Sequence, residues 1–137
     1  MILVDTNVWS EAFRPQPDLQ VQIWAEQEAA NLWLASTVIG ELLSGAYRLP
    51  EGKRKQSFLT GYRALIETQA KRIVDFDLAA ARHYGEILAF LKNSGQNPTT
   101  ADAQIAAMAR SRGMALATRN VKDFEGLGLK LINPWES

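Results

Sequence analysis

The chain has 137 residues with 15 basic and 15 acidic side chains, so its formal net charge is zero. This balance gives no support for a generic nucleic-acid-binding protein, and the lack of cysteine excludes disulfides and thiolate metal sites. A hydrophobic content of 47% is ordinary for a globular protein, and the length predicts a single domain over residues 1–137. No apolar run approaches about 18 residues and no basic region precedes the first one, so we expect a cytoplasmic protein without a membrane span or signal peptide.

The first predicted strand ends in an acid. A continuous apolar run, Ile2-Leu3-Val4, is stopped by Asp5, and such a run is typical of a strand that a parallel sheet buries on both faces. Thr6 and Asn7 are good helix-capping types and predict a helix immediately afterwards. Because ligands of open parallel sheets bind beyond the carboxyl ends of the strands, Asp5 is either a site residue or only the cap of that helix.

Strands and helices then alternate along the chain. Further strands are predicted over residues 32–35, 73–74, 114–117 and 130–132, and further helices over residues 19–29, 38–49, 53–70, 77–92 and 99–112. The apolar side of the helix over residues 77–92 is expected to consist of Leu78, Ala81, Tyr84, Leu88 and Leu91. This order predicts a three-layer α/β fold, in which a central, mostly parallel sheet of four to five strands lies between helices.

The neutral total hides two segments of opposite charge. Residues 1–45 carry six acidic side chains against the single basic residue Arg14, whereas residues 51–72 carry six basic side chains against two acidic ones. The basic segment is either a solvated helix face or a binding surface.

Two further acids are predicted on helix faces that also carry apolar residues. Glu41 shares a face with Val38 and Leu42, so it needs a partner, a function, or a position at the edge of the apolar stripe where it reaches water. Asp102 also borders an apolar stripe, but the pattern Thr99-x-x-Asp102 equally fits a capping box.

A fourth acid, Asp123, follows the fourth predicted strand and by itself could be a turn residue. However, Asp5 and Asp123 follow strand ends, and Glu41 and Asp102 lie in the first turns of helices; in a right-handed parallel fold these places share one edge of the sheet. Two such charges 4 Å apart repel by about 4 kcal/mol at an effective dielectric near 20, unless they are protonated or hold a hard cation. Oxygen ligands alone indicate Mg²⁺ or Mn²⁺ rather than zinc.

The only histidine, His83, is expected to be an ordinary helix residue, which disfavours a histidine-based nucleophile mechanism.

Four stretches of sequence carry a family resemblance. They are Val4-Asp5-Thr6-Asn7, Glu41-Leu42 with Gly45, Asp102-Ala103-Gln104-Ile105-Ala106, and Thr118-Arg119-Asn120 with Asp123-Phe124. In this order, over nearly the whole chain, they resemble the PIN-domain family, nearest to the VapC-type toxins of its FitB-like branch. The stretches Trp9-Ser10-Glu11 and Leu131-Ile132-Asn133-Pro134-Trp135 agree with this resemblance.

The resemblance implies a PIN-like fold and an Mg²⁺- or Mn²⁺-dependent ribonuclease, the toxin of a type II toxin–antitoxin pair. It implies metal-binding and catalytic roles for four acids, namely Asp5, Glu41, Asp102 and Asp123. It implies supporting roles for three polar residues, namely Asn7, Thr118 and Asn120. An RNA substrate, a VapB- or FitA-like antitoxin whose tail blocks the site, homodimers, and heterotetramers or larger assemblies with the antitoxin are also implied.

One loop departs from the family pattern, and two other functions stay open. The stretch Gln96-Asn97-Pro98-Thr99-Thr100 differs from the more usual apolar approach to the third acid, which leaves the rim of the site undefined. One alternative is a non-enzymatic binding module that kept the fold, against which the four retained acids argue. A phosphotransfer enzyme or phosphatase also places an Asp after its first strand, but a haloacid-dehalogenase phosphatase would have a second Asp where this chain has Asn7.

Overall fold

The sheet contains five strands, all of them parallel. The computed structural model describes residues 1–136, and its strands are β1 (Ile2–Val4), β2 (Leu32–Ala35), β3 (Ile73–Val74), β4 (Ala115–Ala117) and β5 (Leu131–Ile132). Their order across the sheet is β3-β2-β1-β4-β5, with Val4 opposite Leu34 on one side and Ala117 on the other. The prediction of a mostly parallel sheet of four to five strands is therefore confirmed, with every predicted strand present.

Six helices connect these strands. They are α1 (Thr6–Glu11), α2 (Leu19–Gln27), α3 (Ser36–Tyr47), α4 (Lys53–Thr68), α5 (Leu78–Asn93) and α6 (Thr100–Ser111). Short 3₁₀ turns cover Ala29–Asn31, Val121–Phe124 and Pro134–Glu136. Each helix lies within about two residues of its predicted bounds, the usual uncertainty of helix ends. Within residues 1–136, no helix combines the length and apolar character that a membrane span requires.

The alternation of side chains along β1 divides the core into two clusters. Leu3 points into the larger cluster, which includes buried residues of α3, α4, α5 and α6, whereas Ile2 and Val4 point into a smaller cluster with α1 and α2. Successive side chains of a strand face opposite sides of the sheet, so the sheet is covered on both faces. This is the three-layer arrangement that the sequence predicts.

Asp5 takes the capping role that the sequence allowed it, whereas the third helix begins two residues earlier than predicted. Asp5, rather than Thr6 or Asn7, is the cap of α1, and its side chain accepts a hydrogen bond from the Thr6 N–H. Ser36 is already helical in α3, whose cap Ala35 makes no side-chain bond. Asp5 is thus both a cap and a residue at the carboxyl edge of the sheet.

The predicted apolar side of α5 is partly wrong. Its fully buried residues are Ala80, Ile87 and Leu91, and Leu78 is 68% exposed. Leu78 precedes Ala80 by two positions, which turns its side chain through about 200° around the helix axis. The first turn of α5 therefore presents Leu78 to solvent, and the missed residue Ile87 takes its place in the core.

Some residues of the basic segment make hydrogen bonds and ion pairs within the protein. Arg72 donates from Nε to the Leu32 carbonyl at 3.1 Å, beside a 2.9 Å bond from the Gln69 amide to the same oxygen. Lys55 pairs with Glu51 at 2.5 Å. These residues support the connections around β2 and α4, which leaves Lys53, Arg54, Arg63 and Lys71 as the exposed basic residues of this segment.

Candidate active site

Asp5 lies at the carboxyl end of the central strand and is almost completely buried. Only 4% of its surface is exposed. Oδ1 accepts a hydrogen bond from the Thr6 N–H at 2.7 Å, and Oδ2 accepts one from the Thr118 hydroxyl at 2.8 Å. Because both carboxylate oxygens are held by neighbours in the sequence and in the sheet, the position of this carboxylate is fixed by the fold.

Burial shifts the proton affinity of Asp5. Loss of solvent raises its pKa from 3.8 to about 6, against the lowering effect of the hydrogen bonds from Thr118 and Thr6. The negative charges of Asp102 and Glu41 raise it further. Three of the four predicted acids therefore act on one another electrostatically.

Glu41 reaches the site from the exposed face of α3. Its Oε1 accepts a hydrogen bond from the Thr6 hydroxyl at 2.5 Å, while Val38 and Leu42 of the same helix are buried. Glu41 thus lies at the edge of the apolar stripe, one of the positions that the sequence allowed. Thr6, which the sequence suggested only as a helix cap, links Asp5 to Glu41 through its N–H and its hydroxyl.

The other two acids lie close enough for the charge of Asp123 to act on Asp102. Asp102 is half-buried in the first turn of α6, where its N–H donates to the Thr99 hydroxyl at 3.0 Å. Burial raises the pKa of Asp102, the Thr99 hydrogen bond lowers it, and the charge of Asp123 raises it. Asp123 is exposed in the turn after β4. The electrostatic contacts therefore run from Glu41 to Asp5, from Asp5 to Asp102, and from Asp102 to Asp123.

The three predicted supporting residues surround the Asp5 carboxylate. Thr118 is fully buried, and while its hydroxyl donates to Asp5 it accepts from the Asn120 N–H at 3.1 Å and from the Asn7 amide at 3.5 Å. The Asn7 side-chain oxygen accepts the Arg119 N–H at 3.3 Å. Thr118 thus joins β4 to α1 directly at Asp5, and Asn120 contributes through its backbone.

Two grooves open beside these acids. The first, here called the Asp102 groove, has a volume of about 310 Å³ and is lined by Asp102, Asp123, the loop over residues 96–99, and the apolar Leu91, Phe124 and Leu127. The second, here called the Glu41 groove, has a volume of about 490 Å³ and is lined by Thr37, Gly40, Glu41, Ser44, Arg48 and Gln104.

Arg48 and Gln104 are site residues that the sequence did not single out. The spacing of Glu41, Ser44 and Arg48 at three and four residues is the only signal that places Arg48 on the face of Glu41. Gln104 lies on a different helix, where its side chain accepts a hydrogen bond from the Thr37 hydroxyl at 3.2 Å. This contact between α3 and α6 joins residues 67 positions apart in sequence, so no local pattern indicates it.

The chemistry of the acids fits a hard divalent cation. All four are oxygen donors, and a cation would offset the buried charge of Asp5 and its repulsion by Asp102 and Glu41. Within residues 1–136, no three acidic, histidine or cysteine side chains are arranged as a ready-made metal centre. Asp5 is held in place by hydrogen bonds to both of its oxygens, whereas Glu41 and Asp123 are exposed.

His83 is part of a contact between two helices. Its Nδ1 accepts a hydrogen bond from Arg110 Nε at 2.8 Å, and the same arginine pairs with Glu86 at 3.0 Å. The histidine therefore connects α5 to α6 and is a structural residue, as the sequence suggested.

Comparison with known proteins shows that the chain is similar to members of one protein family. The model of the PIN domain matches residues 2–128. The VapC ribonuclease Y4jK of Sinorhizobium fredii is 39% identical, with 99% of each chain covered, and the toxin FitB of Neisseria gonorrhoeae is 34% identical, with 98% of this chain and 99% of the relative covered. The crystal structure of FitAcB from Neisseria gonorrhoeae matches with a TM-score of 0.92 at 33% identity, over 100% of both chains.

Proposed function

The chain belongs to the PIN-domain family, and on that premise we propose that it is a ribonuclease that acts as the toxin of a toxin–antitoxin pair. The observation that carries the proposal is the placement of the four acids at the carboxyl edge of a parallel sheet, where Thr6 bonds both Asp5 and Glu41 and where Asp102 and Asp123 line one groove. The relatives named as a VapC ribonuclease and as a toxin support this class of activity.

We propose Mg²⁺ or Mn²⁺ as the cofactor, with Asp5, Glu41, Asp102 and Asp123 as the residues that would hold it. When bound, such an ion supplies charge stabilisation at the scissile phosphate and lowers the pKa of a water molecule. Asp5 is the fixed member of this set because Thr6 and Thr118 hold both of its oxygens.

The substrate needs positive charge on the protein to approach a cluster of acids. Arg48 lines the Glu41 groove together with Glu41 itself, so it is placed to contact a phosphate next to the one that is cut. The exposed residues Lys53, Arg54, Arg63 and Lys71 would add to the attraction of an RNA backbone.

We also propose a VapB- or FitA-like antitoxin as the partner, with homodimers of this chain and a heterotetramer or larger complex with the antitoxin. The match to FitAcB over the whole chain supports the antitoxin. Cellular toxicity through RNA cleavage requires a cytoplasmic location.

The test compares RNA cleavage by wild-type protein, Asp102→Asn and the control Asp18→Asn, with Mg²⁺, with Mn²⁺ and with a chelator. Asp18 caps α2, where Asn caps about as well as Asp, and the cap of α6 is Thr99, which Asp102→Asn leaves in place, so both variants are expected to fold. We expect Asp102→Asn to lose at least about 10²-fold of the rate, on the scale of losing one electrostatic catalytic group, and Asp18→Asn to keep it.

Three outcomes separate the alternatives. Cleavage that needs the cation and Asp102 supports the ribonuclease. Hydrolysis of phosphomonoesters in place of RNA would support the phosphatase alternative. Folded wild-type protein that binds RNA or the antitoxin but hydrolyses neither substrate would support the catalytically silent binding module.

A further inference from the structure

The Asp102 groove combines apolar and amide side chains in its lining, beside the two acids. Its floor is apolar, formed by Leu91, Phe124 and Leu127, which are each at most 3% exposed. Its rim is the loop in which Gln96 and Asn97 carry exposed amide side chains. Asp102 and Asp123 line the same groove, so a group bound in it lies next to the acids.

The backbone under Gln96 is held by the end of α5. The Gln96 N–H donates to the Leu91 carbonyl at 2.9 Å, and the Gly95 N–H donates to the Lys92 carbonyl at 3.1 Å. Gly95 has a φ of +76°, the left-handed conformation that commonly ends a helix. The rim is therefore anchored to the same helix that supplies Leu91 to the floor, which keeps the amides beside the groove.

This combination suits a nucleobase. An unstacked base has an apolar face, which an apolar floor accepts, and an edge of donors and acceptors, which Gln and Asn amides can match because each carries both. The volume of about 310 Å³ lies at the small end of the range for ligand pockets, which is the size for one base rather than a duplex.

We propose that the Asp102 groove binds one unstacked base of single-stranded RNA beside the phosphate that is cut, and that Gln96 and Asn97 select which base it is. This inference rests on the proposed ribonuclease activity and deepens it by assigning the specificity to the loop.

The experiment has a cleavage arm and a binding arm. In the first, a single-stranded RNA pool with randomised positions is cleaved by wild-type protein, Gln96→Ala, Asn97→Ala and the control Gln22→Ala, and the new ends are sequenced. Gln22 is an exposed residue of α2, in the other helical layer. In the second arm, the hexamers A₆, C₆, G₆ and U₆ are titrated onto the same four proteins in a chelator.

We expect wild-type protein and Gln22→Ala to share a preference at one position next to the cut. In Gln96→Ala or Asn97→Ala the preference at that position should fall by about 10-fold, the effect of losing one base-reading side chain, with total cleavage of the pool changed less than the preference. The hexamer affinities should show the same preference and the same loss of it.

Three results would overturn the assignment. The position-specific preference could survive in both loop variants, or all sequences could lose cleavage and binding equally, which would indicate a positioning role. The loop variants could weaken only the antitoxin complex, which would assign the groove to a protein segment. If wild-type protein cuts no RNA but binds one hexamer best through Gln96 and Asn97, the ribonuclease proposal fails while the base groove stands.

Discussion

At the scale of single residues, burial of an acid does not by itself identify the site. Glu11 is 3% exposed, slightly more buried than Asp5, but it accepts the Asp18 N–H at 2.8 Å and pairs with Arg14 at 3.2 Å. Its charge is satisfied within the connection between α1 and α2. Asp5 differs because the charges of two other acids act on it, which makes it the better candidate for a functional carboxylate.

The raised pKa of Asp5 predicts how stability depends on pH. Between pH 3.8 and about 6 the folded protein holds a proton that the unfolded chain has released. This extra proton therefore stabilises the folded protein at acid pH. Its contribution to the free energy of unfolding, roughly 2–3 kcal/mol, is lost as the pH rises through about 6. Asp5→Asn removes this dependence, but it also leaves the Thr118 hydroxyl without its acceptor, at a cost of about 1 kcal/mol.

We therefore expect Asp5→Asn to be less stable than wild type at pH 4 and more stable at pH 7.5. The measurement is urea unfolding at both pH values in a chelator, with Asp18→Asn as the control, which should follow the wild-type curve. A variant that is less stable than wild type by the same amount at both pH values would show that the buried carboxylate carries no such cost.

Arg48 allows a separate test of how RNA is held. Arg48→Gln keeps a polar, though shorter, side chain and removes the charge. If Arg48 contacts one phosphate, RNA affinity should fall for all sequences alike and the slope of log affinity against log salt should decrease by about 0.7. Arg82→Gln, at an exposed position of α5, is the matched control. An unchanged salt slope in Arg48→Gln would remove this arginine from the RNA-binding surface.

At the scale of elements, the sequence predicts the strands and helices well because its patterns are local. The run before Asp5 is apolar throughout because β1 is the central strand and is buried on both faces. The orientation of a helix is harder to predict, as α5 shows, because Leu78 and Ile87 are equally apolar and only packing against neighbouring elements decides which of them is buried.

In the candidate site too, residues marked by local sequence patterns could be predicted, whereas residues placed by tertiary packing could not. The four acids and Thr118 could be predicted from strand ends and family resemblance. Arg48 and Gln104 could not, because their place in the Glu41 groove depends on the packing of α3 against α6. The end of α5, which positions the rim of the Asp102 groove, could be predicted to within one residue, but that the loop lies beside Asp123 and Phe124 depends on tertiary packing.

The packing of α4 against the end of α1 predicts opposite effects for two helical glycines. A Cβ at Gly61 would lie 2.6 Å from Cε1 of Phe13, whose ring packs on Tyr62 at a centroid distance of 4.9 Å. A Cβ at Gly85 in α5 meets nothing within 4 Å. Gly85→Ala should therefore stabilise the protein by about 0.5–1 kcal/mol through helix propensity, whereas Gly61→Ala should destabilise it by about 1–3 kcal/mol through overpacking. Thermal unfolding of both variants is the measurement, and equal stabilisation would mean that Phe13 moves aside freely.

At the scale of the whole molecule, the fold places the four proposed site carboxylates at one edge of the sheet. β1, β4 and their following turns supply Asp5 and Asp123; Asp102 comes from the first turn of α6, whereas Glu41 comes from the second turn of α3 and not, as predicted, from the first. The edge is held together mainly by Thr6 and Thr118, which connect it to α3 and β4 through single hydrogen bonds. Repulsion among the acids acts against these bonds, so a bound cation should stabilise the entire fold.

Binding of a divalent cation at these acids should change the thermal stability of the protein. At pH 7.5, millimolar Mg²⁺ or Mn²⁺ should raise the melting temperature, because a ligand that binds only the folded protein stabilises it. At pH 5 the increase should be smaller, because Asp5, with its pKa near 6, is then mostly protonated and a cation must displace the proton. Asp18→Asn should respond like wild type, whereas Asp5→Asn should show little increase at either pH. Calorimetry in two buffers of different ionisation enthalpy would detect the proton released at pH 5 to 6. Equal increases for wild type and Asp5→Asn would mean that the cation binds elsewhere, and the proposed metal site would be wrong.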